Sequence, residues 1–476
     1  MIVAGAGSAV LSALALLPRP LVNNDGIVYL VAAEAFTRDG FDAARAIHGW
    51  PFYSILIAGV AAVLRVPMEA AAHVTGTCLL AAACVAFVAV VRSLGGDRRV
   101  QWLAAAVVLA HPWVNASRAL VVRDFGVWAF GLFALAMVLR LDGPCRTRAA
   151  LRWAGGSVAA VLFRADAVAL MAAAPIALAL HRDLPRKERV ATTLALLVPA
   201  VLATAGAAAW LLTDPLYEMS ATPLRDAAAA LASSFPMPYG REYAPFILAL
   251  GLAAVPVVKT IKSLGLAHTA LAAIGMARGG PAQRFHRVAL WATLAAAAVP
   301  LYVHVLRLLF VESRYTVFAT LVLGAWAPFG LAGLTRANAA RSRAIAVAAA
   351  AALVLTLATS LPLRPAAENH VREAAAWIRQ NAGTARLHTN SLQIAYHSGS
   401  RVDWHLVRNA AVNGPWDGVR MASGDVWAVR VGPGQDDLRQ RLENARSLQR
   451  SASFVGPDGD AVFVYRCRAV ACVSGS

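Results

Sequence analysis

The stretch that decides the fold is residues 22–53, VNNDGIVYLVAAEAFTRDGFDAARAIHGWPFY. It is a sizeable polar window that follows one short apolar run near the start of the chain. From its end to about residue 361, apolar runs of membrane length alternate with short loops that carry Arg or carboxylate side chains. This arrangement predicts a polar loop at a membrane surface, held in place by helices that cross the bilayer.

The composition indicates a mainly α-helical, polytopic membrane protein. Of 476 residues, 59% are hydrophobic and only 15% are charged, whereas a soluble chain carries about 25% charged residues. Repeated windows of about 18–22 residues lack charge, which is typical of membrane-spanning helices. The runs lack the short alternating pattern of membrane barrels. We expect about eleven spans, placed by hydropathy and by the charge of the loops.

The net charge of +18 does not indicate a nucleic-acid partner here. In a soluble protein such an excess would suggest nucleic-acid binding. In this chain the Arg clusters fall between apolar runs, which is the distribution that the positive-inside rule describes. We therefore expect membrane lipids as partners, no nucleic acid, and an inner or plasma membrane of the bacterial type.

The loop charges also predict the side on which each loop lies. Arg92, Arg98 and Arg99 mark a cytoplasmic loop between two apolar runs. Counting crossings from that loop places Asp25 and Asp124 on the same, outer side. It also places two long loops outside, 18–51 and 213–243, with residues 52–66 as a short helix in or near the outer interface.

The first apolar run, residues 2–17, has two interpretations. Ala13-Leu14-Ala15 resembles a signal-peptide cleavage site, but no basic segment precedes the run. We favour a retained first helix. Either interpretation leaves the following loop outside the membrane.

Residues 362–476 are expected to form a small extracytoplasmic α/β domain, after a transmembrane domain over 1–361. Charge rises there, and the apolar spacing becomes that of a soluble domain. An amphipathic helix is predicted over 368–380, with another near 434–446. RLHTN, DVWAVRV and AVFVYRC are predicted strands. Cys467 and Cys472 are either joined in a disulfide or free thiols.

Two outer carboxylates are the first candidates for chemistry. Asp25 follows the first span, and Asp124 begins a later one, where an ionised side chain is costly and usually functional. Two carboxylates on one face of the membrane suit general-base catalysis or, if a metal is present, a divalent cation. The structural alternatives are a helix cap for Asp25 and a local ion pair between Arg123 and Asp124.

Two arginines at outer helix ends are candidates for binding phosphate. Arg164 and Arg314 stand against the positive-inside trend, and the guanidinium fork binds phosphate well. The alternative is contact with ordinary phospholipid headgroups. Glu312 would pair with Arg314. His48, Trp50, Tyr29 and Glu312 are possible acceptor or sugar contacts, although Trp and Tyr are common at membrane interfaces anyway.

These segments resemble the GT-C superfamily of membrane glycosyltransferases, in particular the branch with protein O-mannosyltransferases and the lipid A aminoarabinose transferase. The resemblance covers about residues 1–335 and extends more loosely to the C-terminal domain. Its carriers are, in order, NNDGIVYLVAAEAF, WPFYSILIAGVAAVL, HPWVNASRALVVRD, FRADAVAL and ESRYTVFATL.

The resemblance implies a hexosyl- or pentosyltransferase that uses a polyprenyl-phosphate-linked sugar donor at the outer face. It implies that Asp25 acts as catalytic base, that Asp124 is the second outer carboxylate, and that Arg314 contacts the carrier phosphate. The acceptor would be a lipid, a glycan or a protein. No cofactor is required beyond a possible divalent cation at Asp25 and Asp124. The alternative from another class is a transporter or flippase, because charges between half-length apolar runs also suit a substrate path.

The predicted topology can be tested by cysteine accessibility. Asp25→Cys, Asp124→Cys and Arg314→Cys should all react with a membrane-impermeant thiol reagent from the outer side only, because all three positions are placed there. Reaction from the cytoplasmic side at any one position would contradict a shared outer site.

Overall fold

The computed structural model of the chain describes most of its residues. The described residues are 1–143, 145–213, 222–278, 280, 283–336, 340–363, 368–400, 402–413, 420–444, 448–467 and 471–473. Part of the second predicted outer loop, 214–221, lies outside them.

The chain divides into two units by its internal contacts. The first comprises Met1–Leu16 and Tyr29–Pro362, and the second comprises Leu17–Val28 and Leu363–Ser476. The helices up to the end of the first unit are α1 Ile2–Leu16, α2 Asn24–Asp39, α3 Phe41–Ile47, α4 Phe52–Leu64, α5 Met68–Ser93, α6 Arg98–Leu109, α7 Pro112–Ala116, α8 Asp124–Val138, α9 Arg146–Phe163, α10 Ala173–Ala179, α11 Arg186–Leu212, α12 Thr222–Ser234, α13 Pro238–Arg241, α14 Ala244–Leu264, α15 Leu266–Ala277, α16 Arg284–Leu308, α17 Ser313–Gly324, α18 Ala327–Arg336 and α19 Ala340–Ser360.

The first unit has the helices of a multi-pass membrane protein, as predicted. Within the described residues, six helical segments are long and apolar enough to cross a membrane, and five further apolar helices are shorter. The six are Met68–Ser93, Arg186–Leu212, Tyr239–Leu264, Arg284–Leu308, Ser313–Arg336 and Ala340–Ser360. The total of about eleven spans stays a prediction.

The two predicted half-length runs around Arg164 form a broken helix. α9 ends at Phe163, Arg164 has an extended backbone, and a 3₁₀ helix over Ala165–Ala172 leads into α10. The break leaves peptide groups near Arg164 outside the regular helical ladder, which is tolerated at membrane depth where the backbone is buried in protein or lines a cavity.

Glycines allow close helix crossings in this unit. A Cβ added at Gly275 of α15 would lie 2.1 Å from the carbonyl oxygen of Trp326, and one at Gly330 of α18 would lie 2.1 Å from that of Leu271. Such approaches require the absence of a side chain, and small residues at crossings are characteristic of membrane helices.

A buried arginine ties α1 to the rest of the first unit. The Arg118 guanidinium donates to the Ser8 carbonyl at 2.9 Å and to the Ser8 and Ser12 hydroxyls at 3.0 Å. It also donates to Asn115 Oδ1 at 2.8 Å. Removal of α1 would leave this buried charge without its serine partners, a strongly unfavourable state.

The second unit is a small α/β fold, as predicted. Its elements are α20 Asn369–Asn381, β1 Leu387–Thr389, α21 Leu392–Ser398, α22 Trp404–Asn413, β2 Arg420–Ala422, β3 Val426–Val431, α23 Asp436–Asn444, β4 Leu448–Val455, β5 Ala461–Cys467 and β6 Ala471–Val473. The strand order is β1-β3-β5-β4 in one sheet, with β1 and β3 parallel, and β2-β6 in the other. Cys467 is disulfide-bonded, while the side chain of Cys472 lies outside the described part.

Alternating residues of β3 and β5 build two cores. Val426 and Val464 face α20, whereas Trp427 and Phe463 face the side on which Leu442 of α23 packs. This is the period of two that a strand imposes.

The internal contacts group one segment differently from the predicted domain division, which stays a prediction. Residues 17–28 were expected to belong with the transmembrane domain, but they group with the C-terminal unit. The physical reason is Leu21, which is 8% exposed and packs in the core with Val371 and Ile378. Full burial of a leucine side chain stabilises by about 1.5–3 kcal/mol.

The close crossing of α15 and α18 should be sensitive to one methyl group. Gly275→Ala and Gly330→Ala should each destabilise by about 1–3 kcal/mol, because the added Cβ meets a backbone carbonyl. Gly206→Ala and Gly251→Ala are controls in α11 and α14, where a Cβ meets nothing within 4 Å. Thermal unfolding in detergent measures the difference, and equal melting temperatures for all four variants would refute the crossing.

Candidate active site

The centre of the candidate site is an ion-pair triad formed by Asp124, Arg164 and Asp166. Arg164 Nη1 lies 2.5 Å from Asp124 Oδ1. Arg164 Nε and Nη2 contact the two oxygens of Asp166 at 3.0 and 2.6 Å. The Asp124 and Arg164 side chains are only 6% and 15% exposed. Charges this buried require partners, and the bidentate pair fixes the plane of the guanidinium.

Local sequence brings these groups together. Asp124 is in the first turn of α8, where the helix dipole favours a negative charge. Two residues later, Gly126 has no side chain, and a Cβ there would lie 2.1 Å from the Phe163 ring. Phe163 can therefore pack against α8, and this places Arg164, at the break in the helix, beside Asp124.

The ring of Tyr315 connects both predicted phosphate-binding arginines. The Arg164 guanidinium carbon lies 4.7 Å from the ring centroid, and that of Arg314 lies 5.0 Å from it. Arg314 Nη2 donates to the Tyr315 hydroxyl at 3.2 Å. Arg314 Nε lies 2.7 Å from Glu312 Oε2, which confirms the expected pair. The two guanidinium groups are thus held in one region by the same aromatic ring.

A pocket opens onto the triad. It encloses about 530 Å³, its open mouth included. Its polar lining residues are Asp124, Arg164, Asp166, His304 and Tyr315. Its apolar lining residues are Val127, Trp128, Ala167, Leu170, Ala297, Pro300, Leu301, Phe318 and Ala319. The pocket is therefore amphipathic, with charged groups and an extensive apolar wall.

A second, narrower cavity shares Ala167, Leu170 and Phe318 with this pocket. It encloses about 310 Å³. Its further lining residues are Gly131, Ala134, Leu135, Val138, Trp153, Ser157, Ala160, Ala173 and Thr293. A cavity lined mostly by apolar residues thus lies beside the charged pocket, along α8.

The predicted contact residues Tyr29 and His48 lie together. Their rings stack with centroids 5.2 Å apart, and Arg123 Nη1 lies 3.5 Å from His48 Nε2. The peptide N–H of Trp50 donates to His48 Nδ1 at 3.3 Å. Their contact with sugar or acceptor stays a prediction.

Trp50 has a structural role. Its indole N–H reaches the carbonyls of Val161 and Leu162 at 3.1 and 2.9 Å, and its ring packs edge-on against Trp210. These contacts attach the first loop to the end of α9, next to Arg164. A contact of Trp50 with substrate would use the ring alone.

Asp25 lies in the first turn of α2 and is half-buried. It belongs to the segment that groups with the second unit, whereas Asp124, Arg164 and Arg314 belong to the first. The prediction that Asp25 and Asp124 act in one site therefore stays a prediction.

Sequence reasoning did not select His304. This residue of α16 lines the pocket, and its ring lies 5.0 Å from that of Tyr315 in an edge-on arrangement. Asp166 was likewise not predicted as a partner of Arg164. The order FRAD (163–166) is a signal for Asp166, whereas nothing in the sequence distinguishes His304 from the other histidines.

The pocket acids fit a divalent cation poorly. Asp124 Oδ1 and both oxygens of Asp166 are engaged by Arg164. Within the described parts of the chain, no group of three or more His, Cys, Asp or Glu side chains is arranged to hold a metal ion. A metal at the predicted ligands Asp25 and Asp124 would therefore need further ligands besides these two carboxylates.

The fold has known relatives among solved structures. No protein-family model and no curated protein matches the sequence. ArnT from Cupriavidus metallidurans bound to undecaprenyl phosphate is 14% identical, with a TM-score of 0.59 over 98% of each chain. The Archaeoglobus fulgidus oligosaccharyltransferase in complex with Zn and sulfate is 12% identical, with a TM-score of 0.55 over 98% of this chain and 73% of that one.

Archaeoglobus fulgidus AglB, in complex with an inhibitory peptide and a dolichol-phosphate, is 10% identical, with a TM-score of 0.51 over 89% of this chain and 69% of that one. At such identities the likeness shows the fold alone, which supports the GT-C-like fold that the sequence motifs predicted.

The triad should stabilise the first unit strongly. Arg164→Gln leaves the buried carboxylate of Asp124 and the neighbouring, partly exposed carboxylate of Asp166 without this cation, and it should destabilise by about 3–5 kcal/mol. The triple variant Arg164→Gln/Asp124→Asn/Asp166→Asn should recover much of the lost stability, because no uncompensated charge remains. Arg140→Gln, at an exposed arginine that contacts Ser93, is the control and should have little effect.

Thermal unfolding in detergent measures all of these variants. A triple variant no more stable than Arg164→Gln alone would show that charge compensation is not the function of the triad.

Proposed function

We propose that this chain, which has the GT-C fold, transfers a sugar from a polyprenyl-phosphate carrier to an acceptor hydroxyl at the outer face of the membrane. The observation that carries the proposal is the amphipathic pocket, which is lined by Arg164 and Tyr315 and lies beside an apolar cavity, with Arg314 in contact with the same Tyr315 ring. A lipid-linked sugar is amphipathic in the same way, because an anionic phosphate is joined to a long hydrocarbon chain.

Arg314 is the better candidate for binding the carrier phosphate. Arg164 is paired with two carboxylates, of which Asp124 is only 6% exposed, whereas Arg314 is paired with Glu312, whose side chain is 49% exposed. A phosphate oxygen can replace an exposed carboxylate at small cost, because that carboxylate returns to water. Arg164, oriented by Asp124 and Asp166, would then support the ring of Tyr315.

The apolar cavity along α8 suits the first isoprene units of the carrier. Ala167, Leu170 and Phe318 line both the charged pocket and this cavity. The neighbours in the same fold point to the same donor class, because ArnT was solved with undecaprenyl phosphate and AglB with a dolichol-phosphate. A related structure carries an acceptor peptide, and the acceptor here is a lipid, a glycan or a protein.

The proposed reaction is a single displacement. Asp25 accepts the proton of the acceptor hydroxyl, whose oxygen forms a bond to the anomeric carbon. The bond from that carbon to the phosphate oxygen breaks, and the carrier phosphate leaves with the electron pair. Arg314 stabilises the charge that develops on the leaving group, and the anomeric carbon is inverted. Asp124 acts by holding Arg164.

The disulfide at Cys467 supports the proposed outer location of the C-terminal unit, because such bonds persist in oxidising compartments. The membrane would be a bacterial-type plasma membrane.

A transporter or flippase is the second candidate. The broken helix around Arg164 favours it, since interrupted helices with buried charges often line substrate paths. A transporter would move lipid-linked sugar between leaflets without cleaving the bond to phosphate.

Asp25→Asn tests the proposal. Transfer of labelled sugar from a polyprenyl-phosphate donor should fall by about 10²–10⁴-fold, because the amide cannot accept the proton. Asp39→Asn, at the exposed acid that ends the same helix, should leave transfer unchanged. Binding of the carrier should be retained in both variants.

Undiminished transfer by Asp25→Asn would remove Asp25 from the mechanism. Leaflet exchange of the donor without any sugar transfer by the wild-type protein would favour the transporter.

A further inference from the structure

The segment that leads to Asp25 is built into the C-terminal unit. Residues Leu17–Val28 group with that unit. Leu21 lies in its hydrophobic core, and Val22 is 1% exposed. A loop that served only to connect two elements would expose such side chains to solvent.

Two side chains of the unit hold the backbone of this segment. Arg372 of α20 donates from Nη2 to the carbonyl of Arg19. Gln393 of α21 donates from Nε2 to the carbonyl of Val22 at 3.4 Å. Because both acceptors are peptide carbonyls, the contacts fix the path of the main chain.

The backbone of the segment is also strained. Arg19 has a φ of 52°, and it stands between Pro18 and Pro20. A non-glycine residue rarely adopts this left-handed conformation, and a following proline restricts the backbone further. Strained conformations persist where surrounding contacts hold them, and they concentrate at functional sites. The Arg372 contact is at the carbonyl of this very residue.

Gln393 is itself held by a network around Arg430. Arg430 Nη1 donates to Gln393 Oε1 at 2.9 Å, and Gln393 Nε2 donates to Glu368 at 3.0 Å. Arg430 Nη2 pairs with Asp460 at 2.7 Å. Burial disfavours ionisation of Asp460, but the hydrogen bonds and charge of Arg430 outweigh it and hold the pKa of Asp460 below its usual value. Gln393 therefore has a fixed orientation toward Val22.

We propose that the C-terminal unit is the positioning element for Asp25, with Arg372 and Gln393 as its positioning residues. They fix residues 19–22, and the first turn of α2, which contains Asp25, follows directly. The hold on the segment, meaning the contacts of Arg372 and Gln393 with its backbone carbonyls, is independent of the proposed function. The effect of these contacts on catalysis rests on the assignment of Asp25 as base.

Hydrogen–deuterium exchange on the full-length protein tests the hold directly. In Arg372→Ala and Gln393→Ala, peptides that cover residues 19–28 should exchange about tenfold faster or more, because local opening becomes easier. Arg379→Ala is the matched control on α20, since Arg379 also donates to a carbonyl, that of His397. Gln435→Ala is the matched control for glutamine, since Gln435 accepts from the Gly432 N–H.

Sugar-transfer kinetics test the consequence. Arg372→Ala and Gln393→Ala should lower kcat by about 10–100-fold with little change in the KM for the lipid donor, because a displaced base impairs the chemical step. Arg372→Lys keeps a donor and should restore most of the protection and most of the kcat. A merely structural role would lower the amount of folded protein and leave the kcat of the folded fraction unchanged.

The outcomes are distinguishable. Unchanged exchange over residues 19–28 in Arg372→Ala and Gln393→Ala, or an equal increase in the two controls, would overturn the proposed hold. Faster exchange with unchanged kcat would overturn the link to catalysis. Faster exchange in a protein that transfers no sugar even as wild type would retain the hold and reject the proposed function.

Discussion

The bidentate contact of Arg164 with Asp166, extended to Asp124, is the interaction on which the membrane unit depends. A guanidinium buried among apolar helices is tolerated only with anionic partners and good geometry. Meeting that requirement stops α9 at Phe163, starts α8 at Asp124 and requires a glycine at position 126. The same guanidinium lies over Tyr315, whose ring also contacts Arg314. One charge-pairing requirement therefore organises three segments that are distant in sequence.

In this arrangement the two carboxylates that the sequence predicts on the outer side, Asp25 and Asp124, have different roles. Asp124 Oδ1 is committed to the ion pair with Arg164. Asp25 lies instead on a segment that the C-terminal unit holds. Under the proposed function, one acid orients a cation and the other acts as base. The appended α/β unit then contributes to the chemistry through the main chain of residues 19–22.

Much of the fold could be predicted because hydrophobicity and charge report directly on membrane helices and on buried strands. The apolar runs, the break at Arg164 and the strands β1, β3 and β5 follow from such patterns. β4 escaped because it is an edge strand with mostly exposed residues, so it lacks an apolar alternation. The grouping of Leu21 with the C-terminal core escaped because a contact across about 350 residues of sequence leaves no local pattern. His304 could not be assigned to the site for the same reason, because only tertiary contacts bring it there. The pair of Glu312 and Arg314 could be predicted, because the two residues are close in sequence.

The most direct test of the account is a structure of the full-length protein with a bound polyprenyl phosphate. The account predicts a phosphate oxygen within about 3 Å of the Arg314 guanidinium. It also predicts the first isoprene units between Leu170 and Phe318, with the chain continuing along α8. A phosphate bound away from both Arg314 and Arg164, with its chain outside that path, would contradict it.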